Sequence, residues 1–207
     1  MMIELPAWDT IGLRLLGIAC GLVAWFVTQR MIGQRHLEGG GIYDHLHRLT
    51  AAGNAWLHVH PGAARAALIA SSLGVDAVSL FVLGYAVVGP SFSPFWGLLC
   101  LFGLRQASQA VVALPAPSGI IWRDPGFPSL FVTYAVGNDF FFSGHTALAV
   151  YGAIQIATLG IPVLTVVATL LAVLQMLVVI VLRAHWTLDV LTGLFAALLV
   201  GFAFWPG

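Results

Sequence analysis

The chain has 207 residues, of which 60% are hydrophobic and 8% charged, and its eight basic residues balance eight acidic ones. A soluble domain carries about 25% charged residues, so this composition excludes a soluble globular core and places the chain among integral membrane proteins. All eight basic residues are arginine, and with zero net charge neither nucleic acid nor an acidic macromolecule is an expected partner.

The length fits one domain, 1–207. Cys20 and Cys100 both lie in apolar runs, which gives no sign of a disulfide framework. Residues 1–9 hold Glu4 and Asp9 and no basic residue, unlike the start of a signal peptide, so the first apolar run is expected to stay in the protein. That run, 10–31, is long enough at about 1.5 Å per residue to cross a hydrocarbon layer of roughly 30 Å. It closes on Arg30 and Arg35.

Residues 33–63 are the most polar stretch and hold five of the seven histidines, His36, His45, His47, His58 and His60, after Gly39-Gly40-Gly41. At about 100° per residue, Ile42, Leu46, Leu49, Gly53, Trp56 and Leu57 share one face, with Asp44, His47, Arg48 and Asn54 opposite. This predicts one interfacial amphipathic helix whose polar face is wet rather than metal-binding.

Further helices are expected over 64–88, with Asp76 inside, and over 94–114, with Arg105 inside. Counted along the helices, Asp76 and Arg105 lie at similar depth. They are expected to be neighbours, either as a buried ion pair or with Arg105 free to hold a phosphate. A loop over 115–142 carries Arg123, and helices follow at 143–159, up to 182, and at 186–204. The fold class expected is therefore all-α, a polytopic membrane bundle of six transmembrane helices and one interfacial helix. With alternating crossings, the segments 33–63, 115–142 and 183–186 meet at one end of the bundle. Trp96, Trp122, Trp186 and Trp205, near the boundaries, are expected to be interface anchors.

Two motifs share that end, Phe142-Ser143-Gly144-His145-Thr146 and Arg183-Ala184-His185-Trp186-Thr187-Leu188-Asp189. His185 and Asp189 stand i and i+4, so the carboxylate can accept one ring N–H and leave the other nitrogen as nucleophile. Ser143 and Gly144 stand at a helix N-terminus, which favours a phosphate, and His145 can protonate the leaving oxygen. Arg183, with Arg105 or Arg123, could clamp the phosphate. No carboxylate cluster for magnesium is visible, so neither metal nor cofactor is expected.

These two motifs resemble the second and third motifs of the type 2 phosphatidate phosphatases. They are closer still to the transferase branch of that superfamily, the sphingomyelin synthases and plant phosphatidylcholine:diacylglycerol cholinephosphotransferases. The likeness covers about 105–193 and includes Leu114-Pro115-Ala116-Pro117, Val136-Gly137-Asn138 and the aromatic Phe142 before Ser143. It implies that His185 is the nucleophile, Asp189 its assistant and His145 the acid for the leaving group. It also implies a phosphohistidine, a phospholipid donor and a lipid alcohol acceptor, diacylglycerol or ceramide, with homo-oligomerisation left open. Phosphatases of the superfamily carry a lysine-containing first motif, proline before Ser-Gly-His and an arginine where this chain has Val179, which favours transfer over hydrolysis. The alternatives are a lipid phosphate phosphatase and, from another class, a haem-binding electron carrier with axial histidines. Arg30, Arg35 and Arg48 at the catalytic end argue for a cytoplasmic site, whereas the resembled families face the lumen or periplasm.

Overall fold

The computed structural model describes residues 7–33, 44–134, 137 and 140–205. The glycine run at 39–41, His36, Arg35, Ile42, Val136 and Asn138 lie outside the described residues. Among those described there are eight helices and no strand: α1 (Trp8–Gly33), α2 (His45–Leu49), α3 (Ala51–Val59), α4 (Pro61–Val88), α5 (Ser93–Val111), α6 (Gly144–Ala157), α7 (Pro162–Val181) and α8 (Thr187–Ala203).

The six long helices expected from the apolar runs are α1 and α4 to α8. Proline in the first turn opens α4, α5 and α7, where its missing N–H removes a donor that has no partner anyway. α5 stops three residues short of the expected 114. Val112 is already extended at φ −117°, ψ 124°, and the residue before Pro115 is steered away from helical angles. Between α6 and α7 the chain reverses through Gly160 at φ +67°. Three helices, α1, α4 and α7, are long and apolar enough to cross a membrane, and α8 is a shorter apolar helix.

Around the inner helix α6 pack α4, α5, α7 and α8. Every residue of α6 from Thr146 to Ala153 is buried, and small residues let its neighbours come close. Gly152 is the tightest point, because a Cβ there would run into the Val78 side chain of α4. Polar links also tie the bundle: Tyr151 donates to the Pro94 carbonyl (2.9 Å), and the Gln175 amide donates to Ser71 (2.7 Å). α1 is peripheral, held at its start by Arg14, which donates to the carbonyls of Ala86, Val87 and Gly89 where α4 ends. The outer faces of α7 and α8 present Leu164, Leu170, Leu174, Phe195, Leu199 and Phe202.

Gly152→Val is expected to destabilise the bundle by about 1–3 kcal/mol through overpacking. Gly84→Ala, at an exposed position of α4 with open space around it, is expected to be neutral or stabilising. Melting temperatures of the purified proteins in one detergent check the pair.

Candidate active site

The site is built where three helix ends meet. α7 closes with the paired hydrogen bonds of a Schellman motif, Arg183 N–H to Ile180 O (3.0 Å) and Ala184 N–H to Val179 O (2.9 Å). Arg183 takes the left-handed position, φ 53°, that glycine usually fills. This turn delivers His185 to the start of α8. There Asp189 reaches back to accept from the Trp186 N–H (2.9 Å), as the acidic residue of a capping box does. The carbonyl of Asp189 in turn accepts from the Ser143 N–H (3.0 Å), which staples α8 to the start of α6. Gly193 makes that approach possible: a Cβ there would stand 2.6 Å from the Ser143 carbonyl oxygen.

His185 and His145 are brought together, with ring centroids 5.9 Å apart. His185 Nδ1 donates to the Phe140 carbonyl (3.0 Å), and Asp189 Oδ2 lies 3.6 Å from the same nitrogen. A carbonyl can only accept, so this contact places the proton on Nδ1 and the lone pair on Nε2. Phe140 thus sets the tautomer, the part expected of Asp189. The carboxylate is engaged with the Trp186 N–H and lies beside the ring. His145 meets the edge of Trp122 (5.0 Å), and its buried Nε2 has no hydrogen-bond partner among the described residues.

Both histidines line a cavity of about 50 Å³ together with Arg105, Trp122, Thr133, Phe140 and Ala184. Among the described residues, Arg105 is the arginine that lines it. It is buried, and it donates from Nε to the Phe142 carbonyl (2.9 Å) and from Nη1 to Gln29 (2.6 Å) and Gln109 (3.2 Å). Gly144 is where its guanidinium crosses α6, since a Cβ there would be 3.1 Å from Arg105 Nε. Gly144 and His145, in the first turn of α6, carry N–H groups with no intrahelical acceptor, a favourable end for an anion.

The structure places five of the expected features elsewhere. Arg183 does not line the cavity of the two histidines: its guanidinium donates to the carbonyls of Ser118 (2.6 Å) and His47 (3.3 Å), in the loop and in α2. Ser143 does not face the cavity. It is fully buried, and its hydroxyl caps α6 by accepting from the Thr146 N–H (3.3 Å). Asp76 forms no ion pair with Arg105. Its carboxylate accepts from the N–H groups of Leu130 (2.9 Å) and Phe131 (3.0 Å) and from the Ser129 hydroxyl, and so anchors the loop that supplies Thr133. Arg123 lies at a separate opening beside Arg65 and the start of α4.

The faces of α2 and α3 also differ from the expectation. His47 and Asn54 of the polar face are buried against the catalytic turn, together with Leu57 of the apolar face, while Arg48, Leu46, Leu49 and Trp56 are exposed. His47 Nε2 donates to the His185 carbonyl (3.0 Å), and Asn54 donates to the carbonyls of Val181 (2.9 Å) and Gly119 (3.1 Å). The Asp44 carboxylate accepts from Thr187, at both N–H (2.6 Å) and hydroxyl (2.7 Å), and from the His47 N–H (3.1 Å). Trp186 is likewise buried, stacked on His47 and donating to the Pro115 carbonyl (2.8 Å), and Trp122 lines the cavity. Of the expected anchors, Trp96 and Trp205 are exposed. Asp44, His47, Asn54 and Phe140 were thus missed as site residues. The amphipathic pattern marks two faces but not which one meets protein.

Partial burial works to raise the Asp44 pKa, but the hydrogen bonds from Thr187 and His47 outweigh it and hold the carboxyl below its ordinary value. A depressed folded-state pKa means that this stabilisation is complete above the ordinary carboxylate range and is lost as pH falls through the folded value. Asp44→Ala, which also removes the α2 cap, is expected to lower the melting temperature by about 2–4 °C near neutral pH. The gap from wild type should close on acidification, and a melting series from neutral to acid pH checks it.

No curated protein and no solved structure matches the chain. A family model described as AtPDCT1/2 matches residues 43–203, from the Asp44 segment to the end of α8. The matched region contains both histidines, Arg105 and every tether of the catalytic turn. By that match the chain belongs to the AtPDCT1/2 family, the plant phosphatidylcholine:diacylglycerol cholinephosphotransferases.

Proposed function

We propose that this protein is a membrane enzyme that moves a phospho-headgroup, phosphocholine in the family's reaction, from a phospholipid to a lipid alcohol such as diacylglycerol. In this reading α1 and α4 to α8 make six crossings, and α2 and α3 lie at the interface over the catalytic turn. The long apolar helices, the leucine, valine and phenylalanine on the outer faces, and the family membership support it.

The observation that carries the chemistry is the pair His185 and His145 on one cavity with Arg105. His185 Nε2 attacks phosphorus and the bond to the lipid oxygen breaks, with His145 supplying the proton that the leaving alkoxide takes. Diacylglycerol departs and the headgroup remains as a phosphohistidine. The ring is then cationic with its proton on Nδ1, where the Phe140 carbonyl holds it and the Asp189 carboxyl lies 3.6 Å away. His145, now neutral, takes the proton of an incoming hydroxyl. That oxygen attacks phosphorus, the P–N bond breaks, and His185 is regenerated. Arg105 and the first turn of α6 balance charge on the phosphoryl oxygens.

The test uses purified protein in mixed micelles with phosphatidylcholine labelled in the headgroup and unlabelled diacylglycerol of distinct chain length. Label is expected in phosphatidylcholine bearing the new chains. Label released only as water-soluble phosphocholine would make the protein a hydrolase.

A further inference from the structure

A second cavity, also of about 50 Å³, adjoins the first through shared Arg105, Thr133 and His145. Its far wall is α1, which contributes Trp25 and Gln29, and Val75, Phe102, Phe131, Val132 and Leu148 make up the rest of its apolar lining. The family match begins at residue 43, so α1 lies outside it, yet Gln29 accepts from the cavity arginine at 2.6 Å. Trp25 stacks on Phe102 with centroids 4.9 Å apart. Its indole N–H is buried in a side chain only 9% exposed, and it has no acceptor among the described residues. His145 Nε2, on the same chamber, is in the same condition. Buried donors and acceptors without partners are rare because each costs free energy. Two such groups on one largely apolar chamber suit an occupant that is itself apolar with a few oxygens.

Resting on the transfer reading, we propose that this α1-walled chamber binds the glycerol end of the lipid alcohol, both as departing diacylglycerol and as acceptor. The phosphoryl group sits on the His185 side and His145 stands at the junction. In an in-line displacement the oxygen that leaves, or attacks, lies on the far side of phosphorus from His185 and against His145, and the second chamber opens at His145. The hydroxyl meets His145, an ester oxygen accepts from Trp25, and the acyl chains run out past the apolar outer face of α1, where Val23, Phe26 and Val27 are exposed. The space suits a glycerol backbone and not whole chains. Gln29 makes the same helix a positioning element for Arg105.

Two measurements on the full-length protein in mixed micelles test this. A diacylglycerol bearing a photoreactive group close to its glycerol is first shown to be an acceptor, then irradiated, and the adducts are mapped by mass spectrometry. Adducts on the 25–29 and 102–106 segments are expected. In parallel, Trp25→Phe, which keeps the stack and removes only the N–H, is expected to raise the KM for diacylglycerol about three- to tenfold with kcat changed less than twofold. An analogue that is turned over but labels other helices, or an unchanged KM in Trp25→Phe, overturns the proposal. If wild type transfers label to no alcohol, the transfer reading itself fails and takes this proposal with it.

Discussion

Replacing His185 with alanine is expected to cut headgroup transfer at least about a thousandfold, some 4 kcal/mol of barrier, and to abolish any covalent adduct. Wild type incubated with headgroup-labelled phosphatidylcholine should retain label on denaturing gels, stable to alkali and lost in acid as a phosphoramidate is. The variant should retain none. The loss should be mainly chemical, because the contacts that hold the catalytic turn reach the backbone of this residue and its neighbours, while the variant gives up the ring's bond to the Phe140 carbonyl. His47 bonds to the His185 carbonyl, and the flanking residues are held by Asp44, Asn54 and the Schellman pair. Near-wild-type melting together with lost adduct is therefore the expected result. An active His185→Ala enzyme would remove the nucleophile from this mechanism.

His145→Ala should separate acid catalysis from phosphate binding. General acid catalysis contributes about 10²–10⁴-fold when the leaving group is a poor one, as an alkoxide of glycerol is. Loss of about 10²-fold or more is expected with phosphatidylcholine as donor. A donor whose leaving group is p-nitrophenolate needs no proton, so the first burst of nitrophenolate should return to within about tenfold of wild type. Equal losses on both donors would mean that His145 holds the phosphoryl group and does not protonate the leaving oxygen. Its unpartnered, buried Nε2 at the junction of two cavities favours the first outcome.

Local signals carried the helices. Apolar runs bounded by proline and glycine marked α1 and α4 to α8 to within a few residues, since proline at a helix start and glycine at Gly160 act on the backbone where they stand. Chain parity then placed the starts of α6 and α8 together, as the Ser143–Asp189 staple bears out. The spacing of His185 and Asp189 put the carboxylate near the ring, but it did not reveal that a carbonyl 45 residues away would take the Nδ1 proton.

Arginine was the hardest residue to read. Arg105, Arg123 and Arg183 are alike as letters, and each was a reasonable clamp. Only Arg105 reaches the cavity of the two histidines, because Arg183 is turned by its left-handed backbone towards the Ser118 and His47 carbonyls and Arg123 stands at another opening. The same holds for Asp76, whose carboxylate is taken by three donors of the 129–131 loop. A charged side chain binds whatever unsatisfied group the fold brings within about 3 Å, and sequence distance says nothing of that.

The sequence by itself determined the apolar all-helical class, the six long helices, and the two histidine motifs that the fold brings onto one cavity. These rest on composition, periodicity and short-range spacing, all of which act within a few turns of one helix. Tertiary structure alone decided which face of 44–59 was buried, that Asp44, His47 and Asn54 hold the catalytic turn, that Phe140 orients His185, and that α1 walls a second chamber. The first three depend on backbone carbonyls and N–H groups meeting side chains from 45 to 143 residues away, the last on Gln29 meeting Arg105 and Trp25 meeting Phe102, and burial forces polar groups to find partners whatever their place in the chain.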